Sequence, residues 1–201
     1  MADTRLRPTR AAAAAGERLS KLLEIHTAVP VRLVGFPYEA GERPWCLVLG
    51  SMPGRLSLAA REYYAHPRNQ FWALLGELLG AGRDLPYSAR LEVLKERGIV
   101  LWDVVHSCVR EGSLDAAIRW VEANDFRTLF AKYPSLRRVV FNGAAAERLF
   151  LRHVLPQLTE RCSALELYRL PSTSPAHAGT TYEEKRRAWA TALRRREDDE
   201  L

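Results

Sequence analysis

The stretch YYAHPRNQFW, residues 63–72, sets two tyrosines, a histidine, an arginine and an asparagine ahead of a Phe-Trp pair. A buried strand or helix has little use for His66, Pro67, Arg68 and Asn69 in succession. This is a loop whose rings can stack on a planar ligand and whose polar groups can hydrogen-bond it. A second loop, PSTSPAH at 171–177, offers Ser172, Thr173, Ser174 and His177 as a rigid donor set suited to phosphate oxygens. A third, GSMPG at 50–54, lacks the lysine of a P-loop and the spacing of GxGxxG. Ser51 is followed by Met52-Pro53, so it sits on no nucleophile elbow, and a Ser51/His177/Asp103 hydrolase fails on that ground. Gly50, Pro53 and Gly54 instead describe a tight turn that brings backbone N–H groups close to a ligand. Each feature also has a plainer reading. GSMPG is an ordinary strand exit, PSTSPAH a surface connection, Asn69 and Asn142 helix caps, and His66 and His177 solvated surface side chains.

The elements that must hold these loops follow from the apolar pattern. CLVLG (46–50), IVLWD (99–103), RVVFN (138–142) and LELYRL (165–170) are short β-rich runs ending in polar or glycine turns, the pattern of buried parallel strands. Helical stretches fall between them at about 70–80, 88–97, 114–132 with a break near Asn124, and 144–153. A last helix opens at the capping-box pattern Thr181-Tyr-Glu-Glu184 and runs to about Arg196. Alternation of this kind predicts a three-layer α/β/α sandwich on a four-stranded, mainly parallel sheet. Ligands of such sheets bind beyond the carboxyl ends of the strands. All the chemistry-bearing loops, with Asp103 and Asn142, leave from those ends.

The chain has 201 residues, 47% of them hydrophobic and 27% charged, which fits one domain with a substantial core. Residues 1–28 read as a basic and alanine-rich extension with Leu19, Leu22 and Leu23 on one helical face. Residues 29–196 form the domain and 197–201 a charged tail. No apolar run reaches the length of a membrane span, and the alanine run at 11–15 is too short for a secretory core, so the expected location is the cytoplasm. Cys46, Cys108 and Cys162 and the five histidines are scattered, which predicts no metal and no iron–sulfur cluster. A net charge of +6, carried mostly by arginine, fits an anionic partner, and equally a codon bias toward Arg and Ala.

Taken together, GSMPGRLSL, YYAHPRNQFW, GIVLWDV, GSLDAAI, FNGAAAERLF and LPSTSPAHA, in this order and spacing, closely resemble the uracil-DNA glycosylase superfamily. Within it they resemble the hypoxanthine-DNA (deoxyinosine) glycosylase family, over about residues 36–193. The mismatch-specific uracil/thymine glycosylases share the HPxNxFW pattern but carry asparagine in the first loop, where this chain has Met52. A thioether cannot orient water, and the resemblance implies that Asn69 takes that duty. It also implies that Tyr64 stacks on the extruded base, with Ser51, Met52, Asp103 and Asn142 around it, and that His66, Arg68, Ser172, Thr173, Ser174 and His177 meet the DNA backbone. Leu170 stands where the uracil enzymes have histidine, and Ser174 where they have a leucine wedge.

A base inside a duplex is inaccessible, so an enzyme that removes it must flip it out and replace its stacking. The loops carry no lysine, which predicts direct hydrolysis without cofactor, metal or strand-cleaving lyase chemistry. An amide is barely basic, so Asn69 would orient water, while donors around the base stabilise its departing charge. Asn142 would pair with the hypoxanthine edge, a contact uracil can also make, and Asp103 would accept a base N–H. The expected partner is DNA carrying a deaminated base, bound by a monomer. A uracil or mismatch glycosylase and a DNA-binding relative without chemistry stay open.

Overall fold

The computed structural model describes residues 31–158 and 164–195. The expected N-terminal helix with Leu19, Leu22 and Leu23, the charged tail and Cys162 lie outside the described residues.

The four apolar runs form β2 (Cys46–Gly50), β3 (Ile99–Asp103), β6 (Arg138–Asn142) and β7 (Glu166–Leu170), all parallel, in the order β3-β2-β6-β7. The register puts Gly50 beside Asp103 and Asn142 beside Leu170, so the four carboxyl ends share one edge. β2 and β3 are buried along their whole length, which is why they are unbroken apolar runs. Their side chains alternate between two cores. Cys46 and Val48 meet α2 (Phe71–Leu79), α3 (Tyr87–Glu96) and α6 (Tyr182–Ala192) through Phe71, Trp72, Leu91, Leu94 and Trp189. Leu47 and Leu49 meet α4 (Phe126–Lys132) and α5 (Ala144–His153) through Phe126, Leu129, Phe130 and Phe150. Helices on both faces complete the three layers.

The expected helix over 114–132 is corrected. Only its second part is helical, as α4, started by Asp125, whose carboxylate accepts the Thr128 N–H. Asp115–Ala117 is a single 3-10 turn, and Arg119–Ala123 is strand β5. β5 lies antiparallel to β4 (Val105–Val109), which pairs on its other side with β1 (Arg32–Val34) to give a second, three-stranded sheet. Arg-Trp-Val-Glu-Ala suits either element locally. The ladder offered by β4 decides, because a strand partner satisfies backbone groups that a solvated segment leaves to water. The first loop is followed by α1 (Arg55–Ala60).

α6 braces the site from below. Thr181 caps it with the full capping box, its hydroxyl accepting from the Glu184 N–H. Trp189 of α6 is fully buried, meets the Phe71 ring edge-on at 5.7 Å and donates its indole N–H to the Pro171 carbonyl at 3.3 Å. Replacing Trp189 by Ala is expected to lower unfolding free energy by about 3–5 kcal/mol, measured by urea denaturation.

Candidate active site

The YYAHPRNQFW loop holds its shape through side chains from elsewhere. Tyr63 N–H donates to the Tyr87 hydroxyl, Ala65 N–H to the Ser57 hydroxyl, and Trp72 donates its indole N–H to the Tyr63 carbonyl. Arg83, just beyond α2, reaches back with one guanidinium nitrogen to the carbonyls of Tyr64 (3.2 Å), His66 (2.9 Å) and Asn69 (3.5 Å). These contacts hold Tyr64 at φ 55°, a left-handed backbone that a bulky aromatic adopts only when its surroundings demand it. Its ring stacks on Phe71 at 3.9 Å with 22° between planes. Phe71 is itself fixed in the core by Trp72 and Trp189.

At the far end of the loop, the Asn69 amide oxygen accepts the Phe71 N–H at 3.0 Å and so supports the first turn of α2. The cap position is Gln70, one residue later than the sequence pattern places it. A carbonyl oxygen has a second lone pair, and the amide NH2 is not engaged by this bond. Asn69 therefore serves the helix start and still presents polar groups to the cavity beside it.

That cavity, of about 290 Å³, opens where the four strand ends meet. Ser51, Met52, Tyr64, His66, Asn69, Asp103, Asn142, Ser172, Thr173 and Ser174 all line it. Arg68 and His177 do not. Arg68 is exposed outside the cavity, and the His177 ring bonds Thr180 at 3.1 Å. Ser51 donates to Asp115 at 2.5 Å, so the Ser51/His177/Asp103 arrangement is absent. Met52 is buried against Val105, Cys108 and Ile118, a packing residue at the edge of the cavity.

Asn142 is committed to Thr173. Its amide oxygen accepts the Thr173 N–H and its NH2 donates to the Thr173 hydroxyl, both at 2.8 Å. It does not cap α5, whose cap position is Gly143. Gly143 has φ 100°, and a Cβ there would lie 2.8 Å from Ser172 Cβ, so only glycine lets this turn pass under the last loop. Thr173 also accepts the Gln70 N–H on its carbonyl at 3.0 Å. Beneath them Lys185 is buried and donates to the Gln70 side-chain oxygen (2.8 Å) and the His177 carbonyl (3.0 Å), with burial lowering its pKa.

Asp103 is the group whose chemistry differs most from expectation. It is buried, and its Oδ2 has no hydrogen-bond partner; the nearby Tyr64 hydroxyl has none either. A Cβ on Gly50 would overlap Asp103 Oδ1 and sit 3.0 Å from the Tyr64 hydroxyl, so glycine is what allows both to approach the strand end. Burial, with the Asp115 charge adding, pushes the Asp103 pKa up to about 8, and Arg110 offsets this in part. At neutral pH the carboxyl is protonated. A neutral carboxyl can donate a hydrogen bond as well as accept one. The Tyr64 phenol is pushed far above its usual range, first by burial and then by Asp103.

Asp115 lines the cavity, and Arg83, Gln70 and Lys185 hold its loops in place; the motifs assign a role to none of the four. Asp115 lay within GSLDAAI without a role, and the other three act through contacts remote in sequence, which carry no local signal.

The family model for the uracil DNA glycosylase superfamily matches residues 37–195. The chain belongs to the uracil DNA glycosylase superfamily. Among its relatives, a hypoxanthine DNA glycosylase from Methanosarcina barkeri is 44% identical over 110 residues, 54% of this chain and 70% of that protein. A hypoxanthine DNA glycosylase from Methanosarcina acetivorans is 42% identical over 113 residues, 56% of this chain and 72% of that protein. The solution NMR structure of a protein assigned as a uracil DNA glycosylase from Methanosarcina acetivorans shares the fold with a TM-score of 0.69 at 34% identity, covering 85% of this chain and all of that one. Membership of the superfamily agrees with the fold expected from the sequence. Among the described residues no helix is long and apolar enough to cross a membrane.

A raised carboxyl pKa is a stability statement. Between the ordinary carboxylate range and about 8, the folded protein keeps a proton on Asp103 that the unfolded chain has released, so this group's contribution to stability falls as pH rises through that window. Asp103→Asn is expected to raise the melting temperature above wild type at pH 8, with the gain disappearing near pH 4. Paired thermal melts across that range measure it.

Proposed function

We propose that this chain is a monofunctional DNA glycosylase that hydrolyses the N-glycosidic bond of hypoxanthine in DNA, opening base excision repair. The observation that carries the reading is one cavity lined by a ring braced from behind, an anchored amide and a buried carboxyl. Tyr64, backed by Phe71, supplies the stacking face that an extruded base loses on leaving the duplex. Asn69, held by its bond to Phe71 N–H, uses its remaining lone pair to orient a water toward the sugar carbon C1′. The water oxygen bonds C1′, the bond from C1′ to the base breaks with its electron pair, and the proton lost by the water passes to solvent. Asp103, neutral, donates a hydrogen bond to the edge of the departing base as negative charge grows there.

The curated relatives named hypoxanthine DNA glycosylase favour this base over uracil. Hydrolysis without lyase chemistry is supported by the lining of the cavity, which includes no lysine, and by Lys185, whose ammonium is occupied below it. Asn142 and Thr173 shape the wall on the base side. Ser172, Ser174, His66, His177 and Arg68 meet backbone phosphates, the two exposed side chains from outside the cavity. The protein acts as a monomer in the cytoplasm, without metal or cofactor.

Incubation with duplexes carrying inosine, uracil or xanthine, followed by alkali cleavage of abasic sites, tests the substrate. Release of hypoxanthine foremost is expected. Preference for uracil would reassign the substrate, and binding without release of any base would make this a DNA-binding relative without chemistry. Asn69→Ala is expected to cut single-turnover release by about 10²-fold or more with DNA affinity nearly unchanged. If Asn69 is only a helix support, that variant loses about 0.5–2 kcal/mol of stability and keeps normal chemistry in its folded fraction, which sinks the assignment.

Asp103 donates only while protonated. Release at saturating enzyme is therefore expected to fall as pH rises through about 8, and Asp103→Asn, which has no proton to lose there, is expected to be slower but flat across the same range.

A further inference from the structure

Flipping a base leaves a gap in the duplex, and something must occupy it for the extruded state to persist. The last loop is a poor source. Ser174 is small and polar, Ala176 ends in a single methyl, and Pro175 offers only a compact ring. The segments that carry Leu56 and Leu114 differ. Both leucines line the cavity, yet 64% of the Leu114 surface and 52% of the Leu56 surface face solvent. One exposed leucine is ordinary. Two lining the same cavity from adjoining segments, both largely open to solvent, are a feature to account for.

The two segments are joined through the residues next to them. The Arg55 N–H donates to the Ser113 hydroxyl at 3.1 Å, and a Cβ on Gly54 would touch that same hydroxyl at 3.7 Å. Ser51 donates to Asp115 at 2.5 Å, on the other side of Leu114. Arg110, buried at the root of the loop, donates to the carbonyls of Met52 and Pro53. Leu114 therefore projects from a loop fixed to the first strand exit on both sides, so pushing it into a stack does not simply displace it.

We propose that Leu114, with Leu56 on the adjoining segment, is the wedge that enters the duplex and holds the position vacated by the flipped nucleotide. This rests on the glycosylase reading above. The wedge comes from the segment between β4 and β5, which lines the same cavity as Ser174. Its partner is the base stack flanking the lesion. A single strand has no paired stack to hold apart and costs less to unstack, so the wedge matters chiefly for duplex substrates.

The test compares the full chain with its Leu114→Ala and Leu56→Ala/Leu114→Ala forms on one inosine oligonucleotide, single-stranded and annealed. Single-turnover release from duplex is expected to fall by about tenfold or more, with release from the single strand within about twofold of wild type and Leu114→Phe close to wild type on both. The ratio of the two rates corrects for any loss of folded protein. A ratio unchanged in the double variant overturns the wedge. A second readout needs no bond cleavage: 2-aminopurine beside the lesion brightens when wild type binds and parts the stack. Loss of that signal in Leu114→Ala at saturating protein supports the wedge, and an equal signal overturns it. Failure of the glycosylase reading is separate, because it appears as no hypoxanthine released by wild type from either form of the oligonucleotide.

Discussion

Thr173 is the residue to which the loops of the cavity are referred. Wholly buried, it donates its N–H to the Asn142 amide oxygen at the end of β6, accepts the Asn142 NH2 on its hydroxyl, and accepts the Gln70 N–H at the start of α2 on its carbonyl. A strand end, the loop that carries Asn69 and the loop after β7 are thereby fixed to one another. Groups buried this deeply lose their hydration, so each bond left unmade carries a desolvation penalty, and the arrangement has little freedom to drift. Gly143 permits the close pass of strand end and loop, and Lys185 closes the underside by holding Gln70 and the loop at His177. Precision at Asn69 comes from this frame.

The same cavity holds groups that the fold leaves unsatisfied. Asp103 Oδ2 and the Tyr64 hydroxyl are buried without partners, while Tyr64 sits in left-handed backbone. Such features oppose stability and persist where the surroundings over-determine them. Arg83, gathering three carbonyls of the loop, and the stack of Tyr64 on Phe71 supply that constraint here. A neutral carboxyl with an open position is useful to a ligand that brings its own hydrogen-bonding edge.

Much of this was legible in the sequence. Four β-rich runs, each followed by a turn and a helix, determined a parallel sheet, and the rule that ligands meet the carboxyl ends determined where the loops converge. The order and spacing of the loop motifs determined the family, and Tyr64, Asn69, Asp103 and Asn142 were each found on the cavity wall. These signals are local: apolar period, turn residues and short motifs express what a few neighbouring positions need. The tertiary structure decided the rest. Arg119–Ala123 became a strand because β4 offered it a ladder, which the run 114–132 could not reveal. The amide of Asn142 went to Thr173, thirty-one positions away, and Arg83 and Lys185 took up roles at the site that no motif marks. Asp103 became a neutral acid because protonation depends on burial and on the charges of Asp115 and Arg110, which reach it only through the fold. Sequence patterns encode what is near along the chain, whereas desolvation and long-range pairing are properties of what is near in space.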